Sequence, residues 1–210
     1  GYSPPSISEL RPSTGEINRT LKAENGWNHE ITYRGKYAKF NWDLSVYQFN
    51  LDETIVVRRA ADGSDYFTNA GSTTQQGLEL SSTWMIHPTL TLEQSHTWQN
   101  FRFANGNFLT GTTPYQQATT LVWRHPLGIS LVQNFQFVDY QFLNDSNTER
   151  MGSYRLWNTK ISYARKCWTL WAAAENVGDE RYSPGPGLNA IGGRFYNPAP
   201  GRNFHLGLQF

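Results

Sequence analysis

A single cysteine, Cys167, stands among 210 residues, so no intrachain disulfide can hold this chain together. Its neighbours Lys166 and Trp168 offer no partner base, and it reads as a plain structural thiol. An excess of either charge is also lacking, because 18 Lys plus Arg meet 17 Asp plus Glu. That balance supplies no clustered basic face, which argues against a nucleic-acid partner. No run of about 18 apolar residues occurs, so no stretch reads as a membrane-crossing helix. Residues 1–10 have no basic start followed by an apolar core. The expectation is that a leader has been removed or that the chain is a piece of something longer. Helical stripes at i, i+3, i+4 and i+7 are absent too, which leaves strands as the building material.

Aromatic residues are abundant. Eight Trp, 11 Tyr and 12 Phe make up 15% of a chain that is only 38% hydrophobic, with a mean hydropathy of −0.59. Two classes produce this combination. One is a membrane β-barrel, in which only alternate side chains meet lipid and aromatic girdles mark the interfaces. The other is an aromatic-rich sandwich or sugar-binding β-protein. Composition alone leaves both open.

Period-2 alternation recurs along the chain. Leu78, Leu80, Trp84 and Ile86 share one face with Ser82, opposite Gly77, Glu79, Ser81, Thr83 and Met85. Leu90, Leu92 and Trp98 stand opposite Thr91, Glu93, Ser95, Thr97 and Gln99. Ile129, Leu131, Phe135 and Phe137 oppose Ser130, Asn134 and Gln136, and Trp157, Ile161 and Tyr163 oppose Asn158, Lys160 and Ser162. The chain ends the same way, with Phe204, Leu206, Leu208 and Phe210 in one phase.

Connections alternate in kind. Tight ones run through His87-Pro88, through His125-Pro126 and across 165–167; long polar ones occupy 60–73, 103–116, 143–154 and 182–201. In an up-and-down sheet every tight turn then falls at one rim and every long loop at the other, the polarity of a transmembrane barrel. The pattern predicts about nine strands, near 26–37, 39–58, 74–86, 89–103, 116–125, 129–143, 154–166, 167–182 and 202–210. Nine is odd, whereas single-chain bacterial barrels have even counts, so a fragment is expected. Trp42, Leu44 and Val46 run in one phase and Tyr47, Phe49 and Leu51 in the other, which predicts a bulge between them.

Five strings, in order, resemble the C-terminal part of TonB-dependent outer-membrane receptors. They are GYSPPSISEL (1–10), LKAENGWNHEITYRG (21–35), NAGSTTQQGLELS (69–81), AAENVGDERY (173–182) and GRFYNPAPGRNFHLGLQF (193–210). The nearest flavour is that of ferric-siderophore receptors. The resemblance implies an all-β, antiparallel up-and-down transmembrane barrel segment. Residues 1–210 would be the last portion of a 22-stranded barrel of the plugged size class, with the plug domain and first strands outside this sequence. It implies a bacterial outer-membrane location and uptake of a ferric siderophore or similar scarce ligand, without catalysis or cofactor. The implied partners are outer-membrane lipid, the remaining strands and plug of the same receptor, TonB through the N-terminal region, and the barrel-assembly machinery. Phe204, Leu206, Leu208 and Phe210 resemble the assembly signal of the closing strand.

Glu79, Ser81, Thr83, Glu93, Ser95 and Thr97 are expected to face the lumen. Tyr66, Phe67, Phe108, Tyr115, Arg150, Arg194 and Tyr196, in or beside the long loops, are the candidates for catching an anionic, aromatic iron chelate by charge and stacking. No metal spacing is evident among the five histidines. Residues 144–149 (NDSNTE) lack the glycine and spacing of a calcium loop and read as a solvated turn. The glycine-rich 185–193 precedes a strand, not a helix, which disfavours a phosphate cradle. Two rivals remain: a small or split pore completed by another chain, and a barrel hydrolase built on a histidine such as His96 or His205.

Overall fold

The alternating segments pair into one antiparallel meander. The computed structural model describes residues 1–11 and 17–210. In chain order its elements are β1 (Tyr2–Ser3), α1 (Ile7–Leu10), β2 (Glu24–Tyr37), β3 (Phe40–Asp52), β4 (Ile55–Arg59) and β5 (Asp65–Asn69). There follow β6 (Thr73–His87), β7 (Leu90–Phe103), β8 (Tyr115–Arg124), β9 (Ile129–Val138), β10 (Gln141–Phe142) and β11 (Arg150–Met151). The last are β12 (Tyr154–Arg165), β13 (Trp168–Glu175), a single 3-10 turn (Ile191–Gly193) and β14 (Asn203–Gln209). Ten strands form the main sheet in the order β1-β2-β3-β6-β7-β8-β9-β12-β13-β14, and two small hairpins, β4–β5 and β10–β11, stand apart from it.

The nine long strands are those expected from the alternation, and β1 adds a short tenth, registered Tyr2 with Asn25 and Ser3 with Glu24. Three strands stop sooner than the sequence pattern suggests. The one expected over 39–58 ends at Asp52, where Glu53 takes a positive φ of 58°, and Ile55–Arg59 folds instead onto Asp65–Asn69. The strand expected over 129–143 ends at Val138, and that over 167–182 ends at Glu175, before Asn176 at φ 49°. β-Propensity continues past Asp52 and Val138, but the pairing partner does not; past Glu175 the strand-disfavouring Asn176, Gly178 and Asp179 end the pattern.

The bulge expected in β3 is absent. Phe40 to Asp52 keep unbroken register with β2, and Phe40 to Leu51 with β6; the register shift lies instead between Met85 and His87 on β6. Tyr47, Phe49 and Leu51 therefore stand on the polar face, where glycines make room for them. A Cβ on Gly77 would lie 2.3 Å from the Tyr47 ring, and one on Gly26 would lie 2.6 Å from Phe49 and 2.9 Å from Leu51. The device is repeated with Trp42 over Gly35 and Trp171 over Gly207. A ring laid across a backbone without Cβ keeps an aromatic side chain in a strand without breaking the pleat.

The other face is apolar and uncovered. Leu44 pairs with Leu80, Leu92 with Leu121, Phe135 with Trp157, and Leu170 with Leu208. Ile31 is 79% exposed, Leu206 77% and Phe210 90%. No second layer of the described residues packs on this face, and an apolar surface of that extent requires another medium or partner against it. The tight turns close at one rim through Ala38 (φ 50°), Gly128 (φ 88°) and Lys166 (φ 48°); Cys167 is exposed in the last of these. Gly77→Val pushes methyls into the Tyr47 ring, and we expect a loss of about 1–3 kcal/mol, read as a lower thermal midpoint by circular dichroism. Gly152→Ala, with open space around it, leaves the midpoint unchanged.

Candidate ligand-facing loop cluster

The four long connections gather at the opposite rim, and Asp145 ties them together. Its carboxylate forms a close ion pair with Arg58 of β4. Its Oδ1 accepts from the Thr110 hydroxyl at 2.5 Å and from Asn189 Nδ2 at 3.2 Å. The Asp145 amide donates to Asn189 Oδ1 at 3.1 Å, and its carbonyl accepts from Asn107 Nδ2 at 2.8 Å. Asn147 completes the brace, accepting from the Phe108 amide at 2.6 Å and donating to the Phe108 carbonyl at 3.0 Å. Among the described residues Asp145 Oδ2 accepts no directed hydrogen bond, so the Arg58 guanidinium alone offsets the desolvation of that atom.

Beneath this polar brace lies the buried apolar cluster of the chain, formed by Leu143, Met151 and Phe195, with Tyr154, Leu188 and Ala190 packed against it. Leu143 is wholly buried. Residues 144–149 form a turn in which Ser146, Thr148 and Glu149 are exposed and Asn144, Asp145 and Asn147 half-buried. Asn144 Oδ1 accepts the amides of Thr148 and Glu149 at 3.0 and 3.1 Å, so its oxygen is spent on the backbone. No described group of three or more His, Cys, Asp or Glu side chains is placed to hold a metal ion.

A ribbon of rings and cations crosses two of these loops. The Arg102 guanidinium lies 3.9 Å over the Phe108 ring, Phe108 stacks on Phe142 at 5.5 Å, Phe142 meets Tyr140 edge-on at 5.7 Å, and Arg150 sits 5.0 Å over Tyr140. The structure thus joins two sequence-predicted residues, Phe108 and Arg150, through Phe142 and Tyr140, with Arg102 at the end of the ribbon; the sequence reading names none of these three. A signal exists in Tyr140 and Phe142, two residues apart, but it lies where a strand is expected. Tyr66 pairs in register with Arg58 and so belongs to the braced hairpin, as does Phe67. Arg194 and Tyr196 are exposed on either side of the buried Phe195.

Tyr115 lies elsewhere. Its face parity puts it on the apolar side, stacked with Trp98 at 5.1 Å and bonded to His96 Nδ1 at 2.9 Å, away from the loop mouth. Among the acidic residues at the loop tips, Asp62 is held below the ordinary carboxylate range, first by the Ser64 hydroxyl and then by its amide. The six side chains expected inside the lumen share the polar face in adjacent pairs: Glu79 with Thr97, Ser81 with Ser95, and Thr83 with Glu93. His205 faces Glu175 at 3.6 Å, and His96 bonds Tyr115 through Nδ1.

An open antiparallel meander with tight turns at one rim, braced loops at the other and one bare apolar face is a sector of a large barrel receptor. A family model described as TonB dependent receptor-like, beta-barrel, matches residues 1–177, and the chain belongs to that family. The family is one of receptors and transporters, not enzymes. The chain is similar to the ferrioxamine receptor of Yersinia enterocolitica, 26% identical over 152 residues, covering 64% of this chain and 21% of that protein. It thus spans about a fifth of the length of that curated relative.

Among solved structures, the copper transporter OprC superposes over 100% of this chain and 35% of its own, with a TM-score of 0.80 and 17% identity. The siderophore receptor PiuA from Acinetobacter baumannii gives 0.77 at 15% identity, over 94% of this chain and 30% of its own. The ferric yersiniabactin uptake receptor FyuA from Yersinia pestis gives 0.74 at 18%, over 89% and 29%. At these identities the likeness is one of fold.

Asp145→Ala leaves the half-buried Arg58 without its counter-charge. We expect hydrogen exchange at the Phe108 and Asp145 amides to quicken by the equivalent of about 1–3 kcal/mol, while Asp62→Ala at the loop tip leaves those amides unchanged.

Proposed function

We propose that this chain is the C-terminal sector of an outer-membrane receptor that takes up a ferric siderophore or similar scarce ligand, driven through TonB. The family match across residues 1–177 carries this reading, and the uncovered apolar face and the sorting of loops to one rim support it. Lipid would meet Leu44, Leu80, Leu121, Leu170 and Leu206, while Glu79, Ser81, Thr83, Glu93, Ser95 and Thr97 would line a wet lumen against the plug. Open edges do not persist in hydrocarbon. The free edge of β14 would therefore pair with the first strand of the whole barrel, and Phe204, Leu206, Leu208 and Phe210 would present the lipid-facing row of that closing strand to the assembly machinery.

At the outer rim the ligand contacts follow from chemistry. An iron chelate with carboxylate, catecholate or hydroxamate oxygens is drawn to guanidinium groups, and its planar parts stack on rings. Phe108 and Arg150, already joined through Phe142 and Tyr140, are the best placed of the candidates, with Tyr66, Arg194 and Tyr196 around them. The Asp145 brace would hold these loops in one arrangement, which lowers the ordering cost of binding.

The reading is tested in an iron-starved bacterial strain whose sole ferric-siderophore receptor is the whole protein containing this chain, supplied with a ferric hydroxamate. Growth should require TonB, and Phe108→Ala together with Arg150→Ala should raise the half-maximal ligand concentration about tenfold, equivalent to about 1.4 kcal/mol. TonB-independent growth, with steady conductance for unrelated small solutes, would instead establish the split-pore alternative. Deleting Phe210 should lower the amount of folded, heat-modifiable barrel in the outer membrane without altering the ligand concentration dependence per folded receptor.

A further inference from the structure

The tight-turn rim carries charge of one sign. Residues 36–40, 85–90, 123–129 and 163–168 hold the hairpin turns β2–β3, β6–β7, β8–β9 and β12–β13, and they contain Lys36, Lys39, Arg124, Arg165 and Lys166 but no Asp or Glu. All of these cations are exposed, and none is ion-paired with a described carboxylate. Acids stand instead at the opposite strand ends, with Glu24 opening β2, Asp52 closing β3 and Glu175 closing β13. A chain that is near neutral as a whole is therefore polarised from rim to rim.

An apolar groove of about 530 Å³ opens on the outward face beside this rim, bordered by Leu127, Ile129, Ile161, Leu170 and Leu206 around Ala172. Register explains the trough: Ala172 lies opposite Ile161 on one side and Leu206 on the other, so a methyl stands between two longer side chains. Leu127, in the turn, is 67% exposed. Tyr163 and Arg165 line the groove where it meets the rim. Arg165 Nη1 donates to the Tyr163 hydroxyl at 3.3 Å, and Trp168 meets the Tyr163 ring edge-on at 5.6 Å. Tyr and Trp side chains favour the boundary between hydrocarbon and water, so in a membrane the guanidinium lies at headgroup level with the leucines beside hydrocarbon. One hydrogen bond leaves most of its five N–H donors free, and a guanidinium fork matches a phosphate. The occupant that suits both ends is amphipathic and anionic. A second copy of the chain brings the same cations to the same rim and is repelled.

We propose that this groove holds an anionic phospholipid, with one acyl chain in the trough over Ala172 and the phosphate on Arg165, with Lys166 beside it. The proposal rests on the outer-membrane reading above but not on the identity of the imported ligand. It is tested on the whole receptor in detergent, mixed with phosphatidylglycerol or with phosphatidylcholine of the same acyl chains, the bound lipid being counted by native mass spectrometry. The first phosphatidylglycerol should reach half occupancy at about fivefold lower concentration than phosphatidylcholine. Arg165→Gln with Lys166→Asn, asparagine being tolerant of the positive φ there, should make the two lipids equal. Lys22→Gln, at the loop rim and ion-paired with Glu53, should leave the ratio as it was. Ala172→Leu fills the trough and should weaken retention of both lipids. Equal half-occupancy in the unaltered receptor would overturn the site, as would a preference that survives the loss of both cations or a protein found in place of the lipid. Arg165→Gln alone serves if the double variant lowers the folded fraction. TonB-dependent uptake on the same strains keeps the two readings apart: a receptor that imports ligand without lipid preference refutes the groove alone, and a lipid preference without such uptake refutes the transport reading alone.

Discussion

From β3 to β13, every strand of the main sheet depends on backbone hydrogen bonds to a neighbour on each side. In β7, for example, Leu90 to Trp98 are paired on one side with β6 and on the other with β8. Where water is excluded, a backbone N–H or C=O without such a partner costs several kcal/mol, so the ladder has to continue until the sheet meets itself. β14 has β13 on one side only, and β2 is paired beyond β3 only through the short β1. These edges link the fragment-like geometry of the sheet to the much longer relatives whose sectors it matches. The alternation of faces, the sorting of loops and the open edge of β14 all take their meaning from that requirement.

Conventional burial is located in an unusual place. Among the described residues no layer covers the apolar rows of the sheet, while the dry cluster of Leu143, Met151 and Phe195 sits among the loops. The loops are consequently the part of this chain that packs like a soluble domain. Asp145, Asn147 and Asn189 reach across up to 132 positions of sequence to hold it together. Binding loops are usually the mobile part of a scaffold. Here a carboxylate with an arginine and a set of asparagine amides ties them to one another.

Much of the sheet was legible in the sequence because side-chain period and strand face are the same geometric fact. Leu78, Leu80 and Trp84 could be assigned to one face from spacing alone, and the paired register agrees. The differences between pattern and structure have several causes. Over 39–58 and 129–143, β-branched and aromatic residues continue past the place where a partner strand is available, whereas over 167–182 the strand stops at Asn176, Gly178 and Asp179, which disfavour strands. Tyr47 and Phe49 are out of phase with Trp42 and Leu44 because a glycine on the neighbouring strand, Gly77 or Gly26, makes room for them. Tyr115 sits at the end of a long polar stretch in the sequence, yet it begins a strand and its parity turns it to the apolar side.

The sequence by itself determined the all-β class, the two faces, the tight and long rims and the family resemblance, because each follows from residues near one another in the chain. Only the tertiary structure decided that Asp145 braces four loops, that Phe108 and Arg150 end up in one ribbon, and that Tyr115 lies on the apolar side against His96 and Trp98. Those groupings depend on which strand lies beside which and at what register. That information resides in hydrogen bonds between distant segments, and no local pattern of side chains encodes it.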